Sequence, residues 1–265
     1  MSVSVPNTGR RRWGTLGLLI LAFWAACALA LAWYLAVSWN PALVARYAPL
    51  YLDGLRTTLT LVGVSYLAGA LLSIPLAITR QSKSRILRGF GFAYVSFFRG
   101  TPLIAQIFLV YYGFGSFRAQ FEAVGLWWFF RDAWYCGVFA LALNTAAYQT
   151  EILRGAIASV PKGQWEGAAS LALPRFVVLT RIVAPQALVV ALRPYANELV
   201  LMIKASAIVA IITVFDLFGQ TRRAFSQTFD FQTYLWAAVI YLVIVELIRI
   251  GTGAVEGRIT RHLRR

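Results

Sequence analysis

The chain has 265 residues, 60% hydrophobic and 13% charged, with a formal charge of +15 and a mean hydropathy of +0.68. A soluble domain of this length needs more charge to cover its surface, so the composition points to a membrane protein. One histidine and two cysteines leave no zinc set and no Ser-His-Asp hydrolase, and no G-x-x-x-x-G-K-[ST] run cradles a nucleotide.

A bilayer-spanning helix needs about 20 mostly apolar residues. Six stretches qualify, at roughly 14–37, 55–79, 90–113, 133–156, 185–213 and 233–255. The first follows Arg10–Arg12, the flank of a secretory signal. Its apolar part exceeds the about 7–15 residues of a signal core, and no small-residue cleavage site follows, so a retained helix is expected. The third holds "FRGTP" at 98–102. Gly100 loosens the backbone, Thr101 offers a cap and Pro102 suits a fresh first turn. That pattern fits a discontinuous helix whose amides face a carboxylate, and equally a simple kink.

An ionisable side chain at membrane depth is paired, wetted or functional. In the fourth stretch Asn144, Tyr148 and Glu151 stand at i, i+4 and i+7 and share one helical face. Asn144 and Tyr148 are candidates for a substrate path, against the plainer reading of helix–helix polar contacts. Glu151 either joins that path or pairs with Arg154 three residues on. In the fifth stretch Arg193, Asn197 and Lys204 form one stripe, and Glu198 points elsewhere, toward a neighbour.

The basic charge is distributed by side. With the N-terminus inside, sixteen bases fall on the inner segments: Arg10–Arg12; Arg80, Lys83, Arg85 and Arg88; Arg154, Lys162, Arg175 and Arg181; Arg249, Arg258, Arg261, Arg264 and Arg265. Six, namely Arg46, Arg56, Arg118, Arg131, Arg222 and Arg223, fall outside. This is the positive-inside bias, which predicts both termini in the cytoplasm and removes the case for a nucleic-acid partner.

The longest inner loop then runs from Arg154 to Pro185, too long to be structureless. Ser159 as a cap and Pro161 in a first turn predict a short helix over "KGQWEGAASLAL", with Trp165 and Leu171 on its surfaces, ended by Pro174. Such a helix either lies on lipid headgroups or docks a cytoplasmic partner.

The stretch "KGQWEGAASLALPRFVVLTRIVAPQAL" resembles the EAA loop of ABC-importer permeases, with Glu166 at the motif's Glu, Gly167 and Ala168 at its Ala positions and Pro185 at its proline. "FRGTPLIAQIFLVYYG", "LNTAAYQTEILRGAIASVPKG" and "LRPYANELVLMIKASA" resemble the polar amino-acid uptake branch, and within it the histidine/lysine/arginine and octopine permeases. The resemblance covers about 51–258. It implies an all-α, polytopic type I importer transmembrane domain: residues 1–50 an added helix and tail, 51–258 the transport domain with a coupling helix at about 161–174, and 259–265 a basic tail.

The resemblance further implies a bacterial inner-membrane subunit without a nucleotide site of its own. It would work with a second permease (a homologous, different chain), an ATPase dimer holding ATP and Mg, and a periplasmic amino-acid-binding protein. It makes Gly163, Trp165, Glu166, Gly167, Ala168, Ala169, Leu171 and Leu173 the candidate coupling surface. The candidate substrate path comprises Arg99, Gln106, Asn144, Tyr148, Glu151, Asn197 and Glu198, for a polar, basic amino acid or an opine. Two positions depart from the motif. Gly167 weakens the helix by up to about 1 kcal/mol against Ala, and Ala172, where the family has Gly, is expected to avoid φ > 0 and so alter the turn before Pro174. The rival from another class is an ion-coupled secondary transporter, which predicts an inverted repeat with paired broken helices. No second copy of the loop stretch is present. A membrane enzyme using Glu151 as base has no accompanying nucleophile or metal set.

Overall fold

The computed structural model describes residues 14–37 and 39–259, which among them form helices and no strand. The chain separates into two compact units, 1–46 and 47–265. In the first, α1 (Thr15–Val37) is apolar all round and buries no side chain within the chain. The first unit also contains the opening turns of α2 (Pro41–Arg80). Asn40 caps α2 by accepting from the Ala42 and Leu43 amides at 3.0 and 3.3 Å, with Pro41 at the first helical position.

The second unit begins within α2 and continues with α3 (Arg85–Gly100) and α4 (Leu103–Phe108), which runs into a π-helical turn at Leu109–Gly113. Two short helices, α5 (Arg118–Ala123) and α6 (Trp127–Phe130), precede α7 (Ala133–Ala158), which Asp132 caps through the Trp134 amide at 2.8 Å. Then come α8 (Lys162–Ser170) and a helical run made of α9 (Arg175–Val177), a π turn (Val178–Val183), α10 (Ala184–Ser206) and a 3₁₀ turn (Ala207–Ile212). Helices α11 (Leu217–Thr228) and α12 (Gln232–Ile259) close the unit.

Among the described residues four helices are long and apolar enough to cross a bilayer, and a fifth span results if α3 and α4 are taken together across their bend. The remaining expected span, α7, has the length but, with Asn144, Tyr148, Gln149 and Glu151 in it, a lower mean hydropathy. It is the central helix, with Cys136, Leu141, Ala146, Ala147, Gln149 and Thr150 buried. Helix α2 comes close to it along Ser65, Gly69 and Ser73. A Cβ on Gly69 would lie 2.4 Å from Thr145 Cγ2 and 3.2 Å from the Ala142 carbonyl, so small residues let the two backbones approach. The Ser65 hydroxyl donates to the Val138 carbonyl (3.2 Å) and Gln149 Nε2 to the Tyr66 carbonyl (3.2 Å) across this seam.

Three local expectations are corrected. Helix α7 runs on to Ala158, so Ser159 ends it, its hydroxyl donating to the Ala156 carbonyl (2.7 Å), and Pro161 rather than Ser159 stands at the cap position of α8. Thr101 does not cap α4, because its hydroxyl donates back to the Phe97 carbonyl at 2.8 Å. The fifth span, expected from about 185, begins earlier, in a helical run that starts at Arg175. Pro185 lacks an N–H and crowds the carbonyl four residues back, and the widened π turn ahead of it absorbs this within one helical run.

Candidate functional site

The break in the third span is real, with α3 and α4 bent by 106°. Pro102 forces Thr101 into an extended conformation (φ −111°, ψ 148°), and the helix restarts at Leu103. A break at membrane depth frees carbonyls that lipid cannot satisfy. Two of the candidate path residues take this role. Gln106 Nε2 donates to the Phe98 carbonyl (2.9 Å) and reaches Thr101 Oγ1 (2.8 Å). Asn144 Nδ2 donates to the Phe98 carbonyl (3.1 Å) and to Gln106 Oε1 (2.9 Å). The pair clasps the break onto α7.

Arg99, the penultimate residue of α3, is exposed and sits with its guanidinium carbon 5.2 Å from the centre of the half-buried Tyr148 ring. Glu198 of α10 is buried at 8% exposure and accepts from the Thr145 hydroxyl at 3.0 Å. Arg99 is the cation that acts on it through space. The structure thus brings Arg99, Gln106, Asn144, Tyr148 and Glu198 to one stretch of α7, between Asn144 and Tyr148.

It separates Glu151 and Asn197 from that stretch. Glu151 does share the face of Asn144 and Tyr148, but both of its oxygens are occupied: Oε1 by Arg80 Nε at 3.0 Å, and Oε2 by Arg154 Nε and Nη2 at 2.9 and 2.8 Å. Asn197 lines an open cavity of about 390 Å³ between α10 and α12, shared with Arg193, Arg249 and Glu256. Arg193 is bonded there to Glu256 (2.8 and 2.9 Å). Lys204 continues the stripe into a second cavity of similar size beside Tyr241.

The expected coupling segment forms α8. Only Ala168 of that helix is buried, against Ala156 at the end of α7, Val160 after it, Val178 and Val183 of the π turn and Ala187 of α10, with Leu173 packed on the same cluster. Gly163, Trp165, Glu166, Gly167, Ala169 and Leu171 are exposed. The turn that follows is the one the sequence was expected to avoid. Ala172 adopts φ +50°, its amide donating to the Ala169 carbonyl (2.9 Å) and that of Leu173 to the Ala168 carbonyl (3.2 Å). This is the Schellman arrangement, and its two bonds plus the Leu173–Ala168 contact outweigh the left-handed strain of an Ala.

A profile of the binding-protein-dependent transport system inner membrane component family matches residues 69–261. The chain belongs to this family. Among curated relatives, the nopaline transport system permease NocM of Agrobacterium fabrum is 40% identical over 84% of this chain and 92% of its own length. The arginine ABC transporter permease ArtM of Haemophilus influenzae is 37% identical, covering 75% and 87%. A solved amino-acid ABC transporter crystallised with histidines superposes with a TM-score of 0.73 at 31% identity, over 83% of this chain and 99% of the other. The chain is therefore an importer permease of the amino-acid type, with the all-α transmembrane architecture of type I importers, and the ion-coupled transporter is disfavoured.

In this permease, sequence reasoning missed Thr145 and Arg80. Thr145 lies three residues before Tyr148, donates to Glu198 and accepts from Gln149 Nε2 (3.1 Å). Its only sequence signal is that spacing, because a single threonine is unremarkable in a span. Arg80 was counted with the inner loop charges. Its ion pair with Glu151 joins residues 71 apart and has no local signature.

Proposed function

We propose that this permease forms half of the translocation route for a polar, basic amino acid or opine, with Arg99, Tyr148 and Glu198 as the recognition groups beside the clasped helix break. The observation carrying this reading is that α7 holds, within one turn, the ring under an exposed guanidinium (Tyr148, Arg99) and the hydroxyl that a buried carboxylate accepts from (Thr145, Glu198). An amino acid carries both signs. Arg99 offers donors to its carboxylate, and Glu198 accepts from an ammonium or guanidinium group, each charge-assisted bond contributing about 1.5–3 kcal/mol. The names of the arginine and nopaline relatives support the basic class.

Energy would come from a separate ATPase dimer, holding ATP and Mg, seated on the exposed face of α8. Helix α8 packs through Ala168 on the inner ends of α7 and α10. Those two helices carry Thr145, Tyr148 and Glu198, so a push on α8 moves both walls of the recognition site. A second permease would supply the other half of the route and a periplasmic binding protein the substrate, both termini lying in the cytoplasm. The test is uptake of labelled arginine and glutamine at matched expression. Glu198→Gln is expected to lower arginine uptake at least tenfold more than glutamine uptake, whereas Glu151→Gln, which loosens an ion pair, lowers both alike. Equal losses in the Glu198 variant would remove it from the route.

A further inference from the structure

The corner between α2 and α3 collects bases without an acidic partner among the described residues. No acidic residue occurs between Asp53 and Glu122, yet Lys83, Arg85 and Arg88 fall within six positions. All three are exposed, and none has an ion pair among the described residues. Other bases behave differently: Arg80 and Arg154 are held by Glu151, Arg193 by Glu256 and Arg249 by Glu246. Across the same helix turns, Ile86, Leu87 and Phe90 are 84%, 49% and 61% exposed. They stand in the first turns of a helix that, with α4, is apolar enough to enter a bilayer.

We infer that this corner is a binding site for anionic phospholipid headgroups. Arg85 and Arg88, three residues apart on α3, reach the same side, and their planar guanidinium groups suit the two free oxygens of a phosphodiester. Lys83 adds a third donor from the turn. Successive α3 residues turn by about 100°, so Ile86, Leu87 and Phe90 lie across the helix from Arg85 and Arg88; with that side in the acyl layer the bases sit at headgroup level, and the helix as a whole selects a lipid over a free phosphate.

The corner is also tied to the moving parts. A Cβ on Gly91 would lie 2.3 Å from Thr79 Oγ1, so α3 folds tightly back on α2. Arg80 stacks on Phe92 at 5.2 Å and bonds Glu151 of α7 at 3.0 Å. A headgroup on this corner therefore steadies the piece that α7 leans on, just before the chain enters α8.

The inference depends on the chain being a membrane permease and is independent of its substrate. The experiment reconstitutes the intact transporter carrying this chain in nanodiscs of phosphatidylcholine with phosphatidylglycerol, and reads retained lipid by native mass spectrometry. Phosphatidylglycerol is expected to be retained over phosphatidylcholine, less so as salt rises. Each Lys83→Gln, Arg85→Gln or Arg88→Gln change should weaken that preference about fivefold. Arg85→Lys, which keeps the charge and loses the planar fork, should fall between the parent and Arg85→Gln, and Arg88→Lys gives the same comparison where an Arg85 variant fails to assemble. An unchanged preference in the Gln variants, a preference unaffected by salt, or displacement of the lipid by inorganic phosphate would each overturn the lipid site. Arginine uptake, measured alongside, reports separately on the substrate reading.

Discussion

Helix α1 spans 23 residues without a charge and buries none of them, whereas α7 spans 26, carries Asn144, Gln149, Glu151 and Arg154, and is buried along much of its length. In water the more apolar helix would be the more buried. In a bilayer the relation inverts, because lipid tails reward apolar side chains on the outside, while helices meet through small residues and hydrogen bonds. Hydropathy therefore measures exposure to lipid in this chain. The centre of the molecule is where the hydropathy signal is weakest.

The sharpest way to break that contrast is to enlarge the α2–α7 seam. Gly69→Leu places atoms where Thr145 and the Ala142 carbonyl already stand and should cost about 3 kcal/mol or more. Assembled protein should fall steeply on size-exclusion chromatography, while Ala25→Leu in α1 should leave the yield unchanged. Equal behaviour of the two variants would mean that the seam is as loose as the lipid-facing surface.

A buried carboxylate extends the comparison to charge. Asp216, ahead of α11, accepts from the Gly219 amide at 2.8 Å, while Oδ2 is buried without a partner among the described residues. Burial pushes its carboxyl up from 3.8 to about 6. Between those values the folded state holds more protons than the unfolded one, so this group makes stability fall as pH rises from about 4 to 6 and adds no further change above. The full span is worth up to about 3 kcal/mol at 1.36 kcal/mol per unit. Asp216→Asn keeps a good cap and should flatten the melting temperature across that window. A profile identical to the parent would assign the pH dependence elsewhere.

Within α7, Asn144→Ala removes half of the clasp on the helix break and leaves Gln106 Oε1 unpaired, for a loss of about 1–3 kcal/mol. Denaturation midpoints should drop, and arginine and glutamine uptake should decline together. At the surface of the bundle the effects become small and change sign. Ala172→Gly relieves the left-handed strain after α8 and should raise stability by about 1 kcal/mol, with ATPase coupling intact. Smallest is removal of residues 1–37, for which insertion and uptake by the remaining chain are expected to be unaltered. Loss of uptake at normal expression would show that α1 acts in transport.

Much of the architecture was legible because it depends on local rules. The apolar runs, the Pro102 break and the helix between Pro161 and Pro174 follow from span length, missing amides and restricted φ, all of which are sequence-near. The shared face of Asn144, Tyr148 and Glu151 followed from helical periodicity in the same way. What periodicity could not supply was the partner across that face. Asn144 serves a carbonyl 46 residues away, Tyr148 lies under Arg99, and Glu151 meets Arg80 from 71 residues away. The turn at Ala172 shows the same limit: local strain argued for a different turn, and two backbone bonds with the Leu173–Ala168 contact decided otherwise. The sequence by itself determined which segments are helical and which polar groups enter the membrane, since backbone sterics and desolvation act residue by residue. Only the tertiary structure decided which of those groups neutralise one another and which stay available to a substrate, because that depends on distances between helices that no spacing along the chain encodes.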